Sequence, residues 1–161
     1  MAYADFDYYQ KSYFGDVLTE ENAPKWLSRA SDELDGPTFG RLTFAFPTIE
    51  AHAEKVKKAV CAVAEALFYI DVQRRAASAQ KAADGSYRGA VASISSGRES
   101  ISYSANSSAT AYAAAAASPV AHAQLINSIA VKYLANIPDA NGINLLYAGG
   151  VKRVRAYDHS I

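Results

Sequence analysis

Tyr3, Phe6, Tyr9 and Tyr13 recur at spacings of three, three and four. That places them on one face of a short helix, which Gly15 can end in a left-handed conformation. Thr19 is the expected N-cap of a second helix, with Glu20 and Glu21 at the positive end of its dipole and Pro24 tolerated near the first turn. Its apolar stripe is Ala23, Leu27, Ala30 and Leu34, and Asp35-Gly36-Pro37 closes it with Gly36 left-handed. RLTFAFP (41–47) reads as a connector, after which Thr48 caps the longest helix. There Val56, Val60, Val63, Leu67 and Ile70 form a narrow seam of heptad type, with Glu54 and Lys58 paired on the outer face. This helix can run to about residue 80, roughly 30 residues or about 45 Å. Its second half, RRAASAQKAADG (74–85), loses apolar character and is expected to project beyond the core until Gly85 or Gly89 ends it. Ser118 and Pro119 open the last helix, whose stripe is Val120, Ile126, Ile129, Ala130, Tyr133 and Leu134. The run AYAAAAAS (111–118) extends it backward, with a kink or restart at Pro119. Residues 136–142 are turn-rich, and LLYAGGVKRVRAYDHSI (145–161) follows as a tail.

Between the long and last helices the period changes. Ile101 and Tyr103 alternate with Ser100, Ser102 and Ser104, and Ser95-Ser96-Gly97-Arg98 is turn chemistry. The pattern predicts a β-hairpin over about 90–104. A lone hairpin is marginal in water, so it must rest on its own helices or pair with another chain. The expected fold is therefore mainly α: a small helical bundle over 1–147 with an inserted β-hairpin, and an extended C-terminal arm over 148–161.

Composition narrows this reading. A chain of 161 residues, half hydrophobic and a fifth charged, suits one soluble domain. Sixteen basic residues balance sixteen acidic ones, so no global field draws it to nucleic acid or an anionic membrane. The balance is local as well as global: residues 1–40 carry eight acids and three bases, whereas 141–161 carry Lys152, Arg153 and Arg155 against Asp158. Cys61 is the only cysteine, which excludes a disulfide framework and a cysteine-based zinc cluster. The start, MAYADFDYYQ, lacks a basic or apolar leader, and no run reaches the eighteen or so apolar residues of a membrane span, so folding in the cytoplasm is the expectation.

No set of residues assembles into a catalytic, cofactor or metal motif. GSYRG (85–89) has serine one place too early for a nucleophile elbow, and GGVK (149–152) lacks the phosphate-cradling spacing. His52, His122 and His159 lie far apart without ligand partners at the right spacing, and read as solvated or hydrogen-bonded side chains. Cys61, inside KAVCAVAEAL, reads as a buried inert thiol. Asn106-Ser107-Ser108 matches a glycosylation sequon without an export signal beside it. Of the eleven tyrosines, Tyr9, Tyr13 and Tyr133 fall on helical stripes and belong to the core. Tyr103, Tyr147 and Tyr157 fall in hairpin, turn and tail, where tyrosine suits a partner interface. The tail KRVRAY is a weak nucleic-acid footprint. Its alternation, Val151, Arg153, Arg155 and Tyr157 against Lys152, Val154 and Ala156, suits a strand-capable arm that meets another protein's sheet edge; a frayed terminus is the other reading.

Taken in order, YADFDYYQKSYFG, TEENAPKWLSRASDELDGPTFGRL, VKKAVCAVAEAL, SISSGRESISYS and NGINLLYAGGV resemble the head–tail connector family of long-tailed bacteriophages, also called adaptor or head-completion proteins. The likeness spans about residues 3–151 and rests on packing and turn signatures. It implies a non-enzymatic virion protein of the neck, made in the host cytoplasm. Such proteins form a ring, usually of twelve identical subunits, beneath the portal, which extends the DNA channel and presents a surface to a tail-side connector or terminator. DNA passes without sequence recognition, and neither cofactor nor membrane is involved. In this family the C-terminal arm reaches the portal. Carried over, that assigns portal contacts to Val151, Lys152, Arg153, Val154, Arg155 and Tyr157. Neighbour or tail-side contacts then fall to the hairpin residues Ile94, Arg98, Ile101 and Tyr103. The Ala-rich run at 113–117 and the basic extension after Gly150 depart from the family pattern. The competing reading is a small helical DNA-binding regulator, which the balanced charge and the lack of a basic recognition helix disfavour.

Overall fold

The computed structural model describes residues 2–78, the backbone of two short strands at 93–96 and 99–102, and residues 110–148. The architecture is mainly helical. Six helices are present among these residues: α1 (Phe6–Lys11), α2 (Ala23–Asp35), α3 (Arg41–Phe44), α4 (Glu50–Ser78), α5 (Ala111–Ala117) and α6 (Pro119–Leu134). Helix α4 is the central element, with α2 packed on it and the α5–α6 pair also against it. The expected stripe, Val56, Val60, Val63, Leu67 and Ile70, is buried throughout. It is not a narrow seam, however, because Ala59, Cys61, Ala64 and Ala66 are buried too. The small residues let several helices approach α4 from different sides. Each large apolar side chain enclosed there contributes about 1.5–3 kcal/mol, more than the roughly 1 kcal/mol of a typical cap.

The N-terminal helix is shorter than its aromatic spacing predicts. Asp5 caps it, accepting from the Tyr8 amide at 2.8 Å, and Tyr3 and Tyr13 lie outside it. Tyr9 organises the loop that follows. Its fully buried ring ends in a hydroxyl that donates to Glu65 Oε1 at 2.7 Å and accepts from the Val17 and Leu18 amides at 3.0 and 3.1 Å. Gly15 is required for a different reason from the expected left-handed stop: a Cβ there would lie 2.0 Å from Tyr9 Cζ. The left-handed residue is Phe14, with φ +59°.

Boundary corrections follow the same logic of local hydrogen bonds. Helix α2 is capped at Asn22 rather than Thr19; the Thr19 amide donates to Asn22 Oδ1 at 3.0 Å, and Glu20 and Glu21 occupy that preceding turn. The stripe Ala23, Leu27, Ala30 and Leu34 is buried as expected. Gly36 stays right-handed at φ −59°, and the reversal occurs at Phe39 (φ +54°) and Gly40 (φ +71°). The connector RLTFAFP contains α3. Helix α4 begins after Ile49, whose carbonyl accepts from His52 and Ala53, so Thr48 is not its cap. Glu54 pairs with Lys57 at 3.3 Å instead of Lys58, and also accepts from Tyr8 Oη at 2.7 Å.

Helix α5 lies against α4 up to about Arg74: the Tyr69 and Tyr112 ring centroids are 5.1 Å apart, and Arg74 Nε donates to the Ala116 carbonyl. Arg74 and Arg75, which open the stretch expected to project, are exposed, and the surroundings of its remainder lie outside the described residues. Where α4 ends beyond Ser78, at Gly85 or Gly89, lies outside the described residues. The Ala-rich run forms α5, and the chain restarts as α6 after an extended Ser118 (φ −134°, ψ 125°) with Pro119 at the first helical position. Ile126, Ala130 and Leu134 are buried and Ile129 and Tyr133 partly so, but Val120 is exposed and leaves the expected stripe. Strands β1 (Ser93–Ser96) and β2 (Glu99–Ser102) pair antiparallel with Ile94 opposite Ile101. The rest of the hairpin predicted over 90–104 lies outside the described residues. No helix among the described residues is long and apolar enough to cross a membrane.

Candidate partner interface at the root of the C-terminal arm

The turn expected over 136–142 is present, and Leu145 and Leu146, read as the first residues of the tail, pack with the folded body. Asn136 turns left-handed (φ +62°), and the chain doubles back on itself: Leu145 N donates to Ile137 O at 2.8 Å, and Asp139 N to Ile143 O at 2.7 Å. Gly142, at φ +78°, supplies the reversal. Leu145 is thereby delivered into the core and fully buried.

Asp139 holds this turn closed. Its carboxylate accepts from the amides of Asn141 and Ile143 at 2.8 and 2.9 Å, a local cage of the kind aspartate makes in turns. The side chain is only 1% exposed, and its second oxygen lies 3.5 Å from Arg41 Nη1. Arg41 uses its other terminal nitrogen to donate to the Tyr147 carbonyl at 3.0 Å. The Ala140 amide adds a bond to Ala45 O at 3.0 Å. One guanidinium thus ties α3 to both arms of the turn. In the chain on either side of Arg41, Phe39 is about half exposed and Phe44 88% exposed; Tyr147 is about half exposed. Tyr147 was one of the three tyrosines expected at an interface.

Besides Tyr147, ten residues were expected to meet partners. Ile94 and Ile101 are backbone partners in the strand ladder. Arg98, Tyr103, Val151, Lys152, Arg153, Val154, Arg155 and Tyr157 lie outside the described residues. The residues that shape the candidate interface, Arg41, Asp139, Phe39 and Phe44, were absent from that set. The turn signal Asp-Ala-Asn-Gly was visible in sequence, but the Arg41–Asp139 pairing across the chain was not.

Other polar groups are structural. Burial, together with the nearby Glu65 charge, pushes the Cys61 thiol up to about 12, which fits an inert buried thiol. Burial likewise raises Tyr9 to about 12, against the opposing bonds from Leu18 and Val17. His122 borders a groove of about 570 Å³ between α2 and α4, with Glu33 3.6 Å from Nε2 and Arg74 3.5 Å from Nδ1. The groove carries Arg29 and Arg74 against Asp32, Glu33 and Asp71, a mixture that selects no ligand charge. No group of three or more metal-ligating side chains occurs among the described residues. Comparison of the chain with protein-family models, curated proteins and solved structures finds no match.

Proposed function

We propose that this chain is a structural subunit of a head–tail connector of a long-tailed bacteriophage: a ring beneath the portal that extends the DNA channel and joins the capsid to the tail. In this reading the protein is not an enzyme, and the surfaces that matter are those that other polypeptides cover. The observation that carries it is the Arg41–Asp139 clasp, which anchors the root of residues 149–161 to α3 beside exposed Phe39, Phe44 and Tyr147. A clasped segment with exposed Phe39 and Phe44 on its α3 side suits an arm that delivers Val151–Tyr157 to a second protein, those side chains then supplying the desolvated centre that such contacts need. The strand pair at 93–102 supports the companion assignment, because two strands alone are marginal in water and gain from a neighbour. In the ring, that ribbon packs on the adjacent subunit or the tail-side protein.

The experiment is electron microscopy of the purified chain with and without portal assemblies. Rings seated on the tail-facing end of the portal are expected, together with negligible affinity for duplex DNA at low salt. Absence of any portal-bound density, with tight salt-dependent duplex binding in its place, would refute the connector and favour the regulator.

A further inference from the structure

The turn that Asp139 closes contains Asn141-Gly142, the only asparagine–glycine pair in the chain. Asparagine is chemically labile because its side-chain amide carbon is an electrophile close to the backbone nitrogen of the next residue. A side chain on that next residue hinders the attack, and so does a hydrogen bond holding the asparagine amide or a regular helix fixing the backbone. Each of the other described asparagines is protected in one of these ways. Asn22 Oδ1 accepts from Thr19 N, and Asn144 Oδ1 from Leu146 N. Asn127 lies within α6, and Asn136 precedes the branched Ile137. Asn141 has none of this protection. It is exposed, its side-chain amide makes no hydrogen bond among the described residues, and nothing lies within 4 Å of where a Cβ on Gly142 would be.

The restraint comes instead from Asp139. The successive amides of Asn141, Gly142 and Ile143 all donate to this residue: to Oδ1 at 2.8 Å, to the main-chain carbonyl at 3.0 Å and to Oδ1 at 2.9 Å. The Gly142 nitrogen is therefore engaged while the turn is closed and is freed when it opens.

We propose that Asn141-Gly142 is a self-modifying site whose conversion to isoaspartate releases the Arg41–Asp139 clasp. The Gly142 nitrogen attacks Asn141 Cγ. The N–Cγ bond forms, the Cγ–Nδ2 bond breaks, and ammonia leaves with the proton of the Gly142 amide. Solvent water then opens the cyclic imide. Cleavage between the nitrogen and Cγ gives aspartate; cleavage between the nitrogen and the Asn141 main-chain carbonyl carbon gives isoaspartate. In isoaspartate the backbone runs through Cβ and Cγ and is one methylene longer. The added carbon falls between the amides of Asn141 and Ile143, which share Asp139 Oδ1, so the carboxylate no longer spans both. This site goes beyond the connector reading and does not depend on it.

Peptide mass mapping and an isoaspartyl methyltransferase assay test it, on the full chain incubated in mildly alkaline buffer, with the urea-unfolded chain as the unrestrained reference. In the folded chain, conversion is expected at Asn141 and not at Asn22, Asn127, Asn136 or Asn144. Asp139→Ala should convert about 5–30-fold faster, the factor carried by one or two lost hydrogen bonds, with Asp139→Asn between it and wild type. Asn141→Gln should not convert and should keep the wild-type melting temperature, since the amide it replaces makes no bond. The isoaspartate fraction, separated by its added charge, should show amide exchange at Ile143 accelerated as in Asp139→Ala. Asn141→Asp carries that charge on an ordinary backbone and should exchange like wild type. Conversion in urea with none in the folded chain, a wild-type rate in both Asp139 variants, or wild-type exchange at Ile143 in the isoaspartate fraction overturns the proposal.

Discussion

Replacing Asp139 by alanine tests whether the turn after α6 is clamped or merely adjacent. The side chain is 1% exposed and accepts two backbone amides while facing Arg41, whose own side chain is 21% exposed. Its removal leaves two amide donors without their acceptor and a half-buried guanidinium without its counter-charge. Unmade bonds of this type cost about 1 kcal/mol each, and breaking an enclosed ion pair costs up to about 3–5 kcal/mol. Arg41 retains its bond to the Tyr147 carbonyl and some access to water, so about 3 kcal/mol in total is the expectation. Asp139→Asn keeps an acceptor oxygen and loses the charge, and should cost about 1–2 kcal/mol. Urea unfolding followed by circular dichroism reads both. With a slope of about 2 kcal/mol per molar, the alanine variant should unfold roughly 1.5 M earlier. Amide exchange at Ile143 should accelerate more than at Val60, since the loss begins at the turn. An alanine variant within about 0.5 kcal/mol of wild type would refute the clasp.

Gly15→Ala should destabilise by about 3 kcal/mol, because its Cβ would lie 2.0 Å from Tyr9 Cζ and force either the ring or the loop to move; thermal denaturation checks it, and an unchanged melting temperature would contradict the packing. Raising pH should erode stability. Tyr9 and Cys61 have folded-state values of about 12 against ordinary values of 10.0 and 9.0, so the native state resists losing these protons. Their contribution is complete below about pH 9 and is lost as pH climbs toward 12. Cys61→Ala should remove the first part of that decline in denaturant titrations between pH 9 and 10. Native Cys61 should react with a disulfide reagent only as fast as the protein opens; rapid labelling of the intact fold would contradict its burial.

Periodicity identified the parts of the fold that depend on burial. Val56 to Ile70, Ala23 to Leu34 and Ile126 to Leu134 are apolar because they face the interior, so their spacing announced them. Helix starts were misread where the first turn opens without a side-chain cap: α2 begins after Asn22, whose Oδ1 instead accepts from Thr19 N, and α4 after Ile49, whose backbone carbonyl accepts from His52 and Ala53. Val120 carried the helical spacing but lies on the outer side of α6, a distinction that spacing within one turn cannot make. The candidate interface was least visible. Leu145 and Leu146 looked like the opening of a tail because what holds them, the bond from Leu145 N to Ile137 O and the core cluster on which both pack, is supplied by the turn and by distant sequence. Gly15 was recognised as special, but the reason, a tyrosine ring six residues earlier, required the fold. Phe14 and Phe44 fit no stripe, and the sequence alone offered no way to separate an exposed aromatic from a buried one.

The central claim is that the helical body is complete in itself while the basic arm serves another protein. Truncation after Ala148 isolates it, since Tyr147 O and the Asp139 turn remain to close the root. The measurement is portal binding by the truncated chain, by co-sedimentation, alongside its melting temperature. The account predicts a melting temperature within a few degrees of the full chain and loss of portal attachment. Undiminished attachment by the truncated chain, or collapse of its fold, would contradict it.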